Sequence, residues 1–258
     1  MNVIKFNQMP IVILAGGLAT RLKPISEAIP KSLMDINGQP FLKHQISLLQ
    51  KEGLRKVYLC VGHLSEKIKE FLDFSPPKDI EIKIIDDGKP LKGTGGALKE
   101  ASKQIKEDCF FVTYGDSYLP INFKKVFEYY ISQNQPALMT IYKNQNAFDK
   151  SNVIFKNGQI KDYDKNKTSP DMQYIDYGLM IFQKSLFKSI SHSYPFDLSL
   201  ILSDLVKNNL VAAYEVFERF YEIGTPKGIQ SLKNYLYRKE REVLNNKTLK
   251  EAREERGH

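Results

Sequence analysis

The stretch from Pro10 to Leu42, PIVILAGGLATRLKPISEAIPKSLMDINGQPFL, constrains this chain most. The apolar run Ile11 to Leu14 has the length of a buried strand and breaks at once into Ala15, Gly16 and Gly17. A turn must follow. Residues with little or no side chain leave backbone N–H groups pointing into an open concavity there, which is how a chain cradles phosphate oxygens. Arg21 and Lys31 add two cations to the same long loop, so the loop reads as a clamp for a polyanion. Two common phosphate loops are excluded by spacing. The segment from Gly16 to Lys23 contains neither G-x-G-x-x-G nor G-x-x-x-x-G-K-[ST], and after Gly88 and Gly93 the second pattern needs a lysine where Thr94 stands.

Downstream the chain alternates. Gln39 to Lys51 carries Phe41, Leu42, Ile46 and Leu49 in a helical rhythm that Gly53 ends, and VYLCVG follows as a strand. Ser65 to Leu72 places Ile68, Phe71 and Leu72 on one helix face, with Ser65 as the expected N-cap. EIKIID alternates as a further strand after Pro76-Pro77. Strands separated by helices predict a parallel sheet with right-handed crossovers, whose ligands bind beyond the carboxyl ends of the strands. The opening loop lies at such an end.

Two later stretches reach the same crevice. The loop from Asp86 to Leu98, with glycines at 88, 93, 95 and 96, is permissive enough for a flat base to approach main-chain groups, ahead of a helix expected from Ala97 to Ile105. Asp87 can accept from an exocyclic amino group, which cytosine and guanine carry and uracil and thymine lack. The same carboxylate also suits a plain turn. The strand Phe110 to Tyr114 then runs out at Gly115-Asp116 and sets a hard oxygen ligand suited to Mg²⁺ in the crevice. As a lone carboxylate after a strand, Asp116 would read as a cap or turn residue.

The second part of the chain continues with a helix from Phe123 to Asn134 and a strand from Ala137 to Tyr142. NVIFKNGQIKDYDK has an Asn-Gly turn between short alternating runs, a hairpin signal, and YIDYGLMIF is a further strand. The segment LSLILSDLVKNN is helical in period, VAAYEVF reads as a strand, and Thr225-Pro226 caps and starts a last helix. The mixed-charge tail reads as a solvated helix or an oligomer contact.

The order L-A-G-G-x-x-T-R-L-x-P, P-K-S-L and G-x-P-F-L resembles the signature of the sugar-phosphate nucleotidyltransferases, or nucleotide-sugar pyrophosphorylases, and the likeness runs from about residue 10 to 236. It implies a three-layer Rossmann-like α/β fold with a central mixed, mostly parallel sheet. One domain is expected over residues 1–240, with a nucleotide-binding half to about 120, an acceptor-binding half from about 121, and a charged tail from 241. The implied reaction transfers a nucleoside monophosphate from an NTP to a phosphorylated acceptor, releases pyrophosphate, and makes an activated precursor for surface polysaccharide. By the same resemblance Leu14, Ala15, Gly16, Gly17, Asp87, Gly93, Thr94, Gly95 and Gly96 would line the nucleotide. Arg21 would hold the β- and γ-phosphates and Lys31 the α-phosphate, Asp116 and Glu222 would carry Mg²⁺, and Lys165 would orient the acceptor beside Asp176 and Gly178.

The departures from the pattern matter. Alanine stands at position 19 where the family has glycine, Asp164-Lys165-Asn166 replaces E-K-P, Asp176-Tyr177-Gly178 replaces N-A-G, and Glu222 replaces an aspartate. Asp87 tilts the base toward CTP or GTP, and Asp176 opens the acceptor to molecules with an ammonium group. A cytidylyltransferase for a non-sugar phosphate, such as phosphocholine or a phosphorylated amino acid, therefore stands as one alternative, and a non-catalytic nucleotide sensor as another. Composition narrows the partners. With 42% hydrophobic and 26% charged residues the chain is globular, and a net charge of +8 suits anionic substrates. The lysines are scattered and no nucleic-acid motif appears, so no nucleic-acid partner is expected. No apolar run approaches a membrane span and MNVIKFNQMP lacks a signal-peptide core, so no membrane partner and a cytoplasmic site of action are expected, with a homo-oligomer left open.

Overall fold

The computed structural model describes residues 5–17 and 28–254. The Ala19 and Arg21 expectations lie outside the described residues. The first strand, β1 (Ile11–Leu14), is buried along its whole length, as its unbroken apolar sequence requires. After it come β2 (Asp35–Ile36), β3 (Gln39–Pro40), α1 (Phe41–Lys51), β4 (Lys56–Val61), α2 (Ser65–Phe74), β5 (Glu81–Asp86) and α3 (Gly93–Gln104). The chain continues through β6 (Cys109–Tyr114), β7 (Ser117–Tyr118), α4 (Phe123–Ser132), β8 (Ala137–Lys143), β9 (Val153–Lys156) and β10 (Gln159–Tyr163). It closes with β11 (Tyr174–Gln183), α5 (Leu198–Lys207), β12 (Val211–Val216), β13 (Tyr221–Glu222) and α6 (Pro226–Glu254).

Nine strands among the described residues form one sheet. Its main path is β10-β9-β11-β6-β1-β4-β5, with β8 on β11 and β12 on β8. β5, β4, β1 and β6 are parallel neighbours, β8 and β12 are parallel to each other, and β11 runs against both β6 and β8. The sheet is thus mixed and mostly parallel. Alternate side chains divide between its two faces. Ile11, Ile13, Leu59 and Phe111 pack under α1, α2 and α4, whereas Val12, Leu14, Tyr58 and Phe110 pack under α3 and α5. Helices cover both faces, which gives the three layers expected of the sequence. A third, smaller cluster joins Ile36 and Phe41 to Tyr221, Ile223, Leu232 and Leu236, and so binds the last helix to the short β7–β13 pair.

Local chemistry explains some element ends. Asn157 and Gly158 take left-handed backbone in the β9–β10 turn, and Thr225 Oγ1 accepts the Gly228 N–H at 3.0 Å to cap α6. Two expectations fail. Ser65 is the first residue of α2 rather than its cap, because its hydroxyl donates instead to Asp86 Oδ2 at 2.9 Å. Helix α3 begins at Gly93 rather than Ala97, because the N–H groups of Gly95 and Gly96 both donate to the Phe196 carbonyl, at 3.0 and 3.4 Å, and fix this turn. A Cβ on Gly95 would stand 2.4 Å from the Phe196 ring, so glycine is required for the segment before α5 to dock here.

The same reasoning applies where α6 leans on β13. A Cβ on Gly228 would lie 2.0 Å from the Glu222 carbonyl oxygen. Gly228→Ala must therefore push helix and strand apart, at a cost of roughly 1–3 kcal/mol. Urea unfolding should show a lowered midpoint; an unchanged midpoint would mean that the helix does not press on the strand.

Candidate active site

The carboxyl ends of β1, β4, β5 and β6 open on one side of the sheet, and the sequence places its unusual residues there. The Ala15 N–H donates to the Cys60 carbonyl at 2.8 Å, which continues the ladder one residue beyond β1. A side chain added at Gly17 would meet open space. Asp87 follows β5, with its N–H on the Val61 carbonyl at 2.9 Å. Its carboxylate is buried, Oδ1 has no hydrogen-bond partner, and Oδ2 lies 3.6 Å from where a Gly16 Cβ would be. Burial pushes the Asp87 carboxyl above the usual range.

Opposite this loop, Asp116 leaves β6 at the mouth of a cleft of about 500 Å³. Its backbone carbonyl accepts the Ile223 N–H at 3.0 Å, and β13 pairs with β7 so that Glu222 stands opposite Ser117. Two carboxylates far apart in sequence are thereby set side by side. Burial, and then the charges of Asp116 and Asp149, push Glu222 up to about 7. Lys31, in the 3-10 turn Lys31–Leu33, donates to Asp116 Oδ2 at 2.7 Å.

The donor set fits Mg²⁺. Two hard carboxylates would leave the remaining positions to phosphate and water, as this ion prefers. No three His, Cys, Asp or Glu side chains gather into a metal site among the described residues.

Lys165 and Asp176, read from the sequence as acceptor-side residues, line the same cleft. Lys165 Nζ lies 3.4 Å from Asp197 Oδ1 and 5.2 Å above the Tyr114 ring. Gly178 sits where β11 slips register against β8, and its N–H donates to Asp176 Oδ1 at 3.0 Å. The Tyr114 hydroxyl donates to Asp176 Oδ2 at 3.3 Å. Burial pushes Asp176 up to about 6, although Lys165 pulls the other way.

Lys31, Asp116, Lys165, Asp176 and Glu222 thus line one cleft. Gly93, Thr94 and Gly95 do not. Their turn is engaged by the segment before α5, where the Thr94 hydroxyl donates to Asp197 Oδ2 at 3.0 Å and accepts the Leu198 N–H at 2.9 Å. Sequence reading missed Tyr114 and Asp197. Asp197 caps α5 by accepting the Ser199 N–H at 2.8 Å, and a cap is all that its sequence context signals. Burial works against its ionisation, yet Lys165, Ser199 and Thr94 together hold its carboxyl below the usual range.

The comparisons with known proteins bear on this arrangement. Residues 11–237 match the family described as Nucleotidyl transferase. The chain belongs to this family. It is 31% identical over 224 residues, 84% of this chain and 96% of the relative, to a D-glycero-alpha-D-manno-heptose 1-phosphate guanylyltransferase of Campylobacter jejuni. The enzyme of the same description from Aneurinibacillus thermoaerophilus is 27% identical, over 88% of this chain and all of the relative. The solved structure of HddC from Yersinia pseudotuberculosis complexed with GMP-PN superposes with a TM-score of 0.75 at 27% identity, covering 88% of this chain and 99% of that one. As a member of the family the chain is a nucleotidyltransferase. No helix among the described residues is long and apolar enough to cross a membrane.

Asp176 gives this site a pH signature. Its pKa is raised from 3.8 to about 6, so its contribution to stability is full below pH 4 and is lost between about pH 4 and pH 6, where the carboxyl ionises in the unfolded chain before it does in the folded one. Asp176→Asn removes that ionisation. Between pH 4 and pH 8 the stability difference should move in the variant's favour by on the order of 2 kcal/mol in paired urea titrations. A difference independent of pH would refute the raised Asp176 pKa.

Proposed function

We propose that the chain transfers GMP from GTP to a sugar 1-phosphate and releases pyrophosphate. The observation that carries this reading is the convergence of Lys31, Asp116, Glu222 and Lys165 on one cleft at the strand ends, with Lys31 already 2.7 Å from Asp116. An oxygen of the acceptor phosphate attacks the α-phosphorus in line, the bond to the β-phosphate oxygen breaks, and pyrophosphate leaves. Both reactants are anions and need no protein nucleophile, so placement and charge neutralisation are the protein's main contribution. Lys31 exchanges its contact with Asp116 for the α-phosphate, and Lys165 exchanges Asp197 for the acceptor phosphate. Asp116 and Glu222 would hold Mg²⁺, which when bound draws charge from the α-phosphate. Arg21 is assigned to the β- and γ-phosphates on the sequence pattern.

Guanine is favoured by two supports. The relatives named above at 27–31% identity are guanylyltransferases, and the buried Asp87 is a ready acceptor for an exocyclic amino group beside Gly16. Cytosine shares that amino group, so the nucleotide must be tested.

The experiment is pyrophosphate release with Mg²⁺, with ATP, CTP, GTP, UTP and dTTP each crossed against sugar 1-phosphates, phosphocholine and phosphorylated amino acids. Release is expected with GTP and a sugar 1-phosphate, and Asp116→Ala should lower it by roughly 100-fold or more while the fold is kept. Release with CTP and a non-sugar phosphate alone would replace this reading with the cytidylyltransferase. No release from any pair, with nucleotide still bound, would favour a sensor.

A further inference from the structure

Beside the cleft lies a smaller cavity of about 130 Å³ that the reaction above leaves unassigned. Asp149, Glu222 and Gly224 form a rim common to both. Arg219 and Lys227 line it as well, with Thr225 and Ser231.

Local hydrogen bonds and ring contacts shape this cavity. Asn144 ties the loop after β8 by donating to the Asp149 carbonyl at 2.6 Å and accepting the Phe148 N–H at 3.2 Å. Phe148 packs on Tyr142 and Phe220, with ring centroids 6.2 and 6.0 Å away. The Arg219 guanidinium then lies 4.0 Å from the Phe148 ring centre and 4.8 Å from that of Tyr221. Two rings at these distances hold the guanidinium in place through cation–π attraction, which uses none of its N–H groups. No such partner is present among the described residues. Arg219 Nε is buried without a hydrogen-bond partner among the described residues. A planar fork held in place, with a lysine beside it, matches a carboxylate or a phosphate far better than neutral hydroxyls.

We propose that this cavity takes a second acidic group of the acceptor, a carboxylate or phosphate several atoms from the phosphate that receives the nucleotide. The inference rests on the nucleotidyl-transfer reading of the adjoining cleft. It makes Arg219 a specificity residue, with Phe148 and Tyr221 positioning it.

The test compares three probes sharing one ring: glucose 1-phosphate, glucuronic acid 1-phosphate and glucose 1,6-bisphosphate. Binding to the full chain is read by calorimetry and pyrophosphate release is read in parallel. At least one of the doubly acidic probes should bind roughly 10- to 100-fold more tightly than glucose 1-phosphate, the worth of a charged hydrogen-bonded pair, and the better of the two identifies the group. Arg219→Ala should bring that ratio close to one. Arg219→Gln, which keeps the stem that packs on Phe148, should do the same, and Arg219→Lys should keep part of it. Equal binding of all three probes, or a ratio that survives Arg219→Gln, overturns the proposal. Turnover of the neutral probe alone also overturns it while leaving nucleotidyl transfer intact. Arg219-dependent binding without pyrophosphate release supports the cavity and counts instead against the transfer reading.

Discussion

Negative charge crowded at the end of β6 is the constraint on which the rest of this structure depends. Asp116 and Glu222 are brought together by the β7–β13 pair, and the neighbouring charges of Asp116 and Asp149 add to burial in raising Glu222 to about 7. An arrangement of this kind costs stability, and perturbed carboxylates of this sort cluster at functional sites. Lys31 supplies part of the balance now, at 2.7 Å from Asp116. Incoming phosphates and Mg²⁺ would redistribute that balance rather than create it. The core therefore serves to hold like charges at close quarters: β13 is pinned to α6 by Tyr221, Ile223, Leu232 and Leu236.

The wall that carries Lys165 follows the same logic, with one lysine among the carboxylates of Asp176 and Asp197. Lys165 rests between Asp197 and the Tyr114 ring, and Asp197 is itself bonded to Thr94. One carboxylate thus links the first turn of α3 to the lysine assigned to the acceptor phosphate. A change at Thr94 should be felt at Lys165 without any direct contact between them, because charge-assisted hydrogen bonds that share an acceptor are coupled.

Much of this was legible in the sequence, for physical reasons that can be named. The unbroken apolar run of β1 and the glycines after it admit few readings, and Gly115-Asp116 at a strand end and Thr225-Pro226 at a helix start are fixed by local geometry. What remained hidden was set by residues remote in sequence. Helix α3 starts early because Phe196 supplies a carbonyl from about a hundred residues away. Ser65 gives up its capping role because Asp86 lies within reach across the sheet edge. Arg219 and Asp197 carry no local signal, since one reads as an ordinary surface cation and the other as a helix cap.

The most direct test of the central claim follows the α-phosphorus. GTP labelled there would be incubated with a sugar 1-phosphate that the chain accepts, with Mg²⁺ present. The account predicts that all transferred label appears in the nucleotide-linked product and none in pyrophosphate, as attack at the α-phosphorus demands. Label released as free GMP without a linked product, or a γ-phosphate moved to the acceptor, would contradict it.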